Sequence, residues 1–165
     1  MYSHYLWATS RMTWVKKPGK KPKGCLFCGI ARGDPDIPAK ILHKDKSMMV
    51  IMNIFPYNVG HLEVVPIRHV KELEDLSEDE FEKFFKVIKK SVVLLKKTLN
   101  PKGFNLGFNL GKLSGASVPH LHAQIVPRYE RDSGFMEMIA ETKVMPESLD
   151  QTYKKLMKFA SILEK

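Results

Sequence analysis

The chain is poor in cysteine, in long apolar runs and, over its first 24 residues, in acid. Only two of its 165 residues are cysteine, Cys25 and Cys28, too few for a disulfide framework. In a reducing compartment a C-x-x-C pair more often serves metal or redox chemistry. The longest strictly apolar run covers residues 48–52, far below the ~20 residues that cross a bilayer. The N-terminus carries His4, Arg11, Lys16 and Lys17 where a secretory leader would have an apolar core. These absences predict a soluble, cytoplasmic protein without a membrane partner. No repeat of fixed period is visible, and the length, with 44% hydrophobic residues, suits one compact domain with an ordinary core.

The formal charge is +9, from 27 Lys and Arg against 18 Asp and Glu. Residues 1–24 hold Arg11, Lys16, Lys17, Lys20, Lys21 and Lys23 without an acid, whereas residues 71–82 carry seven acids in twelve positions. The excess therefore belongs to a tail and not to a face, which argues against nucleic acid as a partner and leaves a smaller anion, such as a nucleotide, compatible. The prolines and glycines of Lys16-Lys17-Pro18-Gly19-Lys20-Lys21-Pro22-Lys23-Gly24 read as a linker. Residues 1–24 are thus expected to be an arm, and residues 25–165 the folded body.

Within that body, residues 41–43 and 48–52 read as short strands around a turn, and residues 60–66 as a third. Ser77-Glu78-Asp79-Glu80 is a capping box. Phe81, Phe84, Phe85, Ile88, Val92, Leu95 and Leu99 then recur at helical spacing until Asn100-Pro101 stops the run. Residues 103–109 and 120–127 read as two more strands, separated by a glycine-containing loop. Leu149, Tyr153, Leu156, Ala160 and Leu163 make a closing helix. Strands returning by short loops around one long helix predict an α+β domain on an antiparallel sheet.

Period-two geometry over His120-Leu121-His122-Ala123-Gln124-Ile125-Val126 puts His120, His122 and Gln124 on one face and Leu121, Ala123 and Ile125 on the other. Three aligned polar side chains are costly to bury without partners. The preceding loop offers Ser114, Gly115 and Ser117 as hydroxyl and backbone donors for an anion. A phosphate between loop and strand would satisfy both. Histidines on a strand are also common as structural residues, and a C-x-x-C pair alone is equally consistent with free buried thiols.

The stretch resembles the signature of the histidine triad (HIT) superfamily, His-φ-His-φ-His-φ-φ with φ apolar, with Gln124 in the third histidine's place. The similarity extends to Asn53-Ile54-Phe55-Pro56-Tyr57-Asn58-Val59-Gly60-His61-Leu62, Pro66-Ile67-Arg68-His69, Gly103-Phe104-Asn105, Asn109, Gly115-Ala116, Val126-Pro127-Arg128-Tyr129 and Phe135-Met136. Together these blocks are most similar to prokaryotic HIT proteins of the diadenosine tetraphosphate phosphorylase type. One departure is Arg131-Asp132-Ser133-Gly134-Phe135-Met136, which lacks the asparagine of that group's Gly-Asp-x-Asn-Phe-Met.

The resemblance implies the HIT fold, with His122 as a nucleophile that forms a nucleotidyl-histidine intermediate. It makes His120 and Gln124 its catalytic companions and places Asn109, Gly115, Ser117 and Gln124 at the phosphates. Asn53 falls at the ribose, and His61 behind the reacting groups. It further implies a structural zinc ion on Cys25, Cys28, His69 and His120, and a homodimer or larger homo-oligomer. The expected substrate is a nucleotide or dinucleoside polyphosphate, with phosphate as acceptor. Alternatives are a hydrolase that uses water on the same intermediate, and a zinc-stabilised binding module without turnover. Chemistry supports the nucleophile independently: a neutral imidazole near pH 7 attacks through one nitrogen when a backbone carbonyl orients the other. Gln124 can donate a hydrogen bond but cannot deliver a proton, which favours good leaving groups such as a nucleoside triphosphate over the amine of a phosphoramidate.

Overall fold

The structure, a computed structural model, describes residues 24–130 and 145–164. The expected arm, residues 1–24, lies outside them but for Gly24, as does the segment 131–136. Five strands form one antiparallel sheet in the order β1-β2-β3-β5-β4: β1 is Lys40–Lys44, β2 Met48–Met52, β3 Leu62–Pro66, β4 Gly103–Phe108 and β5 Ala123–Arg128. Among the described residues three α-helices accompany it, α1 at Leu26–Arg32, α2 at Glu78–Leu99 and α3 at Leu149–Met157. The α+β antiparallel architecture expected from the sequence is the one observed.

Alternation along the central strands splits the core in two. Met48, Val50 and Met52 of β2 and Leu62 and Val64 of β3 pack with Phe84, Leu94 and Leu95 of α2 and with Leu156 of α3. Met49, Ile51 and Val65 point the other way, to Phe27 and Ile30 of α1 and to Ile37. Both faces of β2 and β3 are therefore covered, and all ten of their residues are buried.

Helix α2 begins as its sequence predicts. Ser77 Oγ accepts from Glu80 N–H at 3.3 Å, Glu80 Oε2 accepts from Ser77 N–H at 3.0 Å, and Asn100 ends the helix in the left-handed region at φ 49°. Its buried face is rotated from the expected one. Val87, Ser91 and Leu94 are buried, whereas Phe81 and Phe85 stay 43% and 42% exposed. Ser91 is tolerated inside because its hydroxyl donates to the Val87 carbonyl at 2.9 Å.

The closing helix is shorter than expected: α3 ends at Met157, and a 3₁₀ turn, Ala160–Leu163, carries Leu163 into the core. Helix α1 was not expected. Gly33, at φ 77°, caps it by returning its N–H to Ile30.

The triad strand is also shorter than its sequence suggests. The β3 to β5 ladder runs only from Leu62 opposite Ile125 to Val64 opposite Ala123. Continuing that register would set Pro66, which has no N–H to give, opposite Leu121. Leu121 N–H goes instead to the Val70 carbonyl at 2.8 Å. Residues 120–122 therefore lead into β5 from outside the ladder, with a bend at His120.

Candidate active site

The lead-in to β5 keeps the alternation: Leu121, Ala123 and Ile125 join the core beneath α2, while His120, His122 and Gln124 take the face that carries α1. His122 is 6% exposed, and its Nδ1 donates to the backbone carbonyl of His120 at 2.8 Å. That bond fixes the neutral tautomer with its lone pair on Nε2, the nitrogen that would have to react. Burial holds the imidazole below its ordinary pKa, outweighing the upward pull of the carbonyl. The ring of Phe27 packs 5.1 Å from it, centroid to centroid.

His120 uses all its polar groups. Its carbonyl holds His122, and its Nε2 donates to the Pro66 carbonyl at 2.9 Å, where the ladder stops. Its Nδ1 is left facing two thiols, 3.2 Å from Cys25 Sγ and 3.6 Å from Cys28 Sγ. His69 presents its own Nδ1 to Cys28 Sγ at 3.3 Å. The four donor atoms of Cys25, Cys28, His69 and His120 lie within 4.8 Å of one another. Such a spread can contract onto one ion, and two thiols with two imidazole nitrogens form a closed tetrahedral donor set for zinc. The residues brought together from three separate stretches of chain thus fit a metal. Helix α1 makes the fit by turning both thiols of the C-x-x-C pair towards the imidazoles.

His61 is fully buried, with Nδ1 accepting from Tyr57 N–H at 3.2 Å and the Tyr57 ring stacked at 5.2 Å. Its Nε2 has no hydrogen-bond partner among the described residues. Burial, with the neighbouring His122 adding to it, pushes the ring down to about 4. It stays neutral and stands beside the nucleophile candidate, so Nε2 carries its proton.

Asn53 sits at the end of β2. Its Oδ1 accepts from Phe55 N–H at 2.7 Å, which turns Nδ2 towards Glu63 Oε1 at 2.8 Å. The sequence reading passed over Glu63. It is 8% exposed on the same face as the histidines, directly opposite Gln124 in the ladder. Burial pushes its carboxyl up to about 7 against the opposing pull of Asn53. An acid inside an otherwise apolar strand was the available signal.

Asn109, Gly115 and Ser117 lie on the loop that leads into His120. The Asn109 amide is 3.9 Å from where a Cβ on Gly115 would sit, Gly115 has φ 89°, and Ser117 is exposed. Among the described residues neither the Asn109 nor the Ser117 side chain hydrogen-bonds to the histidines. No described helix is long and apolar enough to cross a membrane.

Comparison with known proteins places this geometry. The chain is 34% identical over 154 residues to an AP-4-A phosphorylase of Mycobacterium tuberculosis, covering 89% of this chain and 79% of that one. It is 37% identical over 132 residues to a HIT-like protein of Methanocaldococcus jannaschii, covering 80% and 98%. A zinc-bound histidine triad family protein from Mycobacterium smegmatis superposes with a TM-score of 0.69 at 26% identity, covering 85% of this chain and 95% of that one. The HIT domain model matches residues 34–131, and with the histidine row, its carbonyl-held imidazole and the sheet that carries them, the chain belongs to the HIT domain family.

Proposed function

We propose that the chain is a nucleotidyltransferase that cleaves diadenosine tetraphosphate or a related nucleotide through a covalent adduct on His122, with phosphate as acceptor. The observation that carries this is the bond from His122 Nδ1 to the His120 carbonyl. It leaves Nε2 as a lone-pair nitrogen on a ring that cannot reorient without losing that bond. In the first step Nε2 attacks the α-phosphorus. The phosphorus–nitrogen bond forms as the phosphorus–oxygen bond to the departing nucleoside triphosphate breaks. An orthophosphate oxygen then attacks the same phosphorus, the bond to Nε2 breaks, and ADP leaves. Gln124, one same-face position along, supplies an amide donor for charge on the phosphoryl oxygens. The mycobacterial phosphorylase supports this choice of reaction over other HIT chemistries.

Cys25, Cys28, His69 and His120 would hold a structural zinc ion, which contributes fold stability and no reacting group. His61 would stand behind the nucleophile, and Asn109, Gly115 and Ser117 would meet the phosphates from the loop. A homodimer is part of the same reading. Among the described residues strand β4 pairs only with β5, so its outer edge offers backbone donors and acceptors that another strand can satisfy. Exposed Leu106 on β4, with Phe81 and Phe85 on α2, borders that edge. A second copy paired edge to edge would cover all three.

Incubation of the purified chain with diadenosine tetraphosphate and labelled orthophosphate tests the reaction. Label is expected in ADP. AMP without label would make the chain a hydrolase, and no turnover, with nucleotide binding unchanged in His122→Ala, would make it a binding module.

A further inference from the structure

The connection between β3 and α2, residues 67–77, carries one of the four clustered side chains, and beyond a single 3₁₀ turn, Leu73–Asp75, it has no regular structure to hold it. His69 is exposed there, yet its Nδ1 stands 3.3 Å from Cys28 Sγ and its ring meets that of His120 edge-on at 4.8 Å. A side chain on an exposed loop keeps such a place only where its backbone is fixed on both sides. On the far side the buried Val70 does this, its carbonyl accepting from Leu121 N–H at 2.8 Å in the lead-in to the histidine row.

On the near side Ile67 N–H goes to the Ser47 carbonyl at 2.7 Å, and Arg68 supplies the remaining bonds. Its Nε donates to Glu80 Oε1 at 2.9 Å, and its Nη2 donates both to Glu80 Oε2 at 2.7 Å and to the Asp75 carbonyl at 2.6 Å. Both acceptors are themselves held. Glu80 Oε2 also takes Ser77 N–H in the cap of α2, and the Asp75 carboxylate takes the N–H groups of Lys71 and Glu72, each at 3.1 Å. One guanidinium, on the residue next to His69, thus draws both ends of the connection onto the first turn of α2. A fork of this kind fixes orientation as well as distance, which a single exposed ion pair does not. Neither the adduct chemistry nor the four clustered side chains use Arg68.

We propose that Arg68 is a positioning residue for the proposed metal centre: clamped to Glu80 and Asp75, it holds the His69 imidazole against Cys28 and His120. This rests on the zinc reading above. A ligand already in place adds its full share of affinity, whereas one that must be ordered at binding gives part of it up. Because His120 also supplies the carbonyl that orients His122, the clamp reaches the proposed nucleophile through the cluster.

Zinc affinity of the whole chain at fixed pH, measured by competition with a chromophoric chelator, tests it in wild type, Arg68→Ala, Arg68→Lys, Glu80→Gln and Lys155→Ala. Arg68→Ala should weaken zinc binding by about tenfold or more. Arg68→Lys keeps the charge without the fork and should stay at least about threefold weaker than wild type. Glu80→Gln keeps an acceptor for the cap of α2 but gives up the ion pair, and should cost about threefold. Lys155→Ala breaks an exposed ion pair to Glu147, beside the α3 helix whose Leu156 packs in the other half of the core, and should stay within about twofold of wild type. Circular dichroism establishes that each variant is folded, and Arg68→Lys with Glu80→Gln decides if Arg68→Ala is not. Wild-type affinity in any folded variant of Arg68 or Glu80 overturns the clamp alone, as does a Lys155→Ala as weak as Arg68→Ala, which would make the effect one of general stability. A wild type that takes up no zinc overturns the metal reading and this inference together.

Discussion

At the scale of single residues, His122 and Gln124 stand two positions apart on one face and carry different tasks in the proposed chemistry. If the phosphorus bonds to His122 Nε2, His122→Ala should abolish turnover while nucleotide binding persists, because the sugar and phosphate contacts remain. Gln124→Ala removes one donor to developing charge and should lower kcat by roughly 10²- to 10³-fold. Steady-state kinetics with a nucleotide-binding control separate the two. Full activity in His122→Ala would sink the adduct. Glu63 makes a prediction of another kind. Its folded-state value of about 7 stands above that of an unfolded glutamate. Between the two the folded chain holds a proton that the unfolded chain has lost, so the associated stability is full below the unfolded value and disappears as pH rises through about 7. Glu63→Gln removes this dependence. Relative to wild type, the variant should gain on the order of 2–3 kcal/mol between about pH 5 and about pH 8. Urea unfolding at the two pH values measures it, and a difference that stays flat would mean that Glu63 is not buried as a neutral acid.

At the scale of elements, α1 shows what a sequence displays and what it hides. The C-x-x-C pair is plain to read, but the seven-residue helix that carries it is too short for periodicity to show, and its stability comes from Phe27 and Ile30 packing against β2 and β3. Helix α2 was legible because its capping box and stop lie within the sequence itself. The burial of Val87 and Leu94 in place of Phe81 and Phe85 was not, since spacing alone does not say which side of a wide apolar stripe meets the sheet. Glu63 escaped notice for a related reason: alternation distinguishes an inner from an outer face, and β3 has no outer face. The histidine row was legible down to its facing, whereas the loss of ladder bonds before Ala123 depends on Pro66 in a different strand. The cluster of Cys25, Cys28, His69 and His120 links α1 to that row, so loss of a metal held there should be felt in both places. Elemental analysis of protein purified without added metal should find about one zinc per chain. Cys25→Ser should lower the zinc content and the unfolding midpoint together. A metal-free wild type, as stable as Cys25→Ser, would leave the two thiols as ordinary buried side chains.

At the scale of the whole molecule, the two flanks of the sheet are unequal. The β1 flank is tied down, since Tyr153 of α3 donates its hydroxyl to the Ile41 carbonyl at 2.8 Å. At the β4 flank Leu106 is 54% exposed, and the Phe85 ring on α2 lies 6.3 Å from that of Phe108 at the end of the strand. Apolar side chains of a helix and a strand thus meet along an edge whose backbone groups have, among the described residues, no strand on their far side. A bare edge of this kind invites pairing, and Glu78, Glu82, Lys86 and Lys89 line the groove around Phe81 and Phe85. In a two-fold pairing each copy would set acids of one α2 near lysines of the other, because the same patch faces itself in reverse. Light scattering coupled to size exclusion should therefore give twice the chain mass for wild type. Phe85→Glu should shift it to one chain mass by adding unpaired charge to the centre of the patch. Leu106→Lys should do the same from the strand side, since a lysine on an edge strand is a common block to pairing. The face that carries the histidines lies across the sheet from α2, so both variants should lose the proposed dimer while keeping whatever metal the wild type holds. A wild type that runs as a single chain at all concentrations, or a Phe85→Glu variant that stays paired, would place any assembly of this protein on another surface.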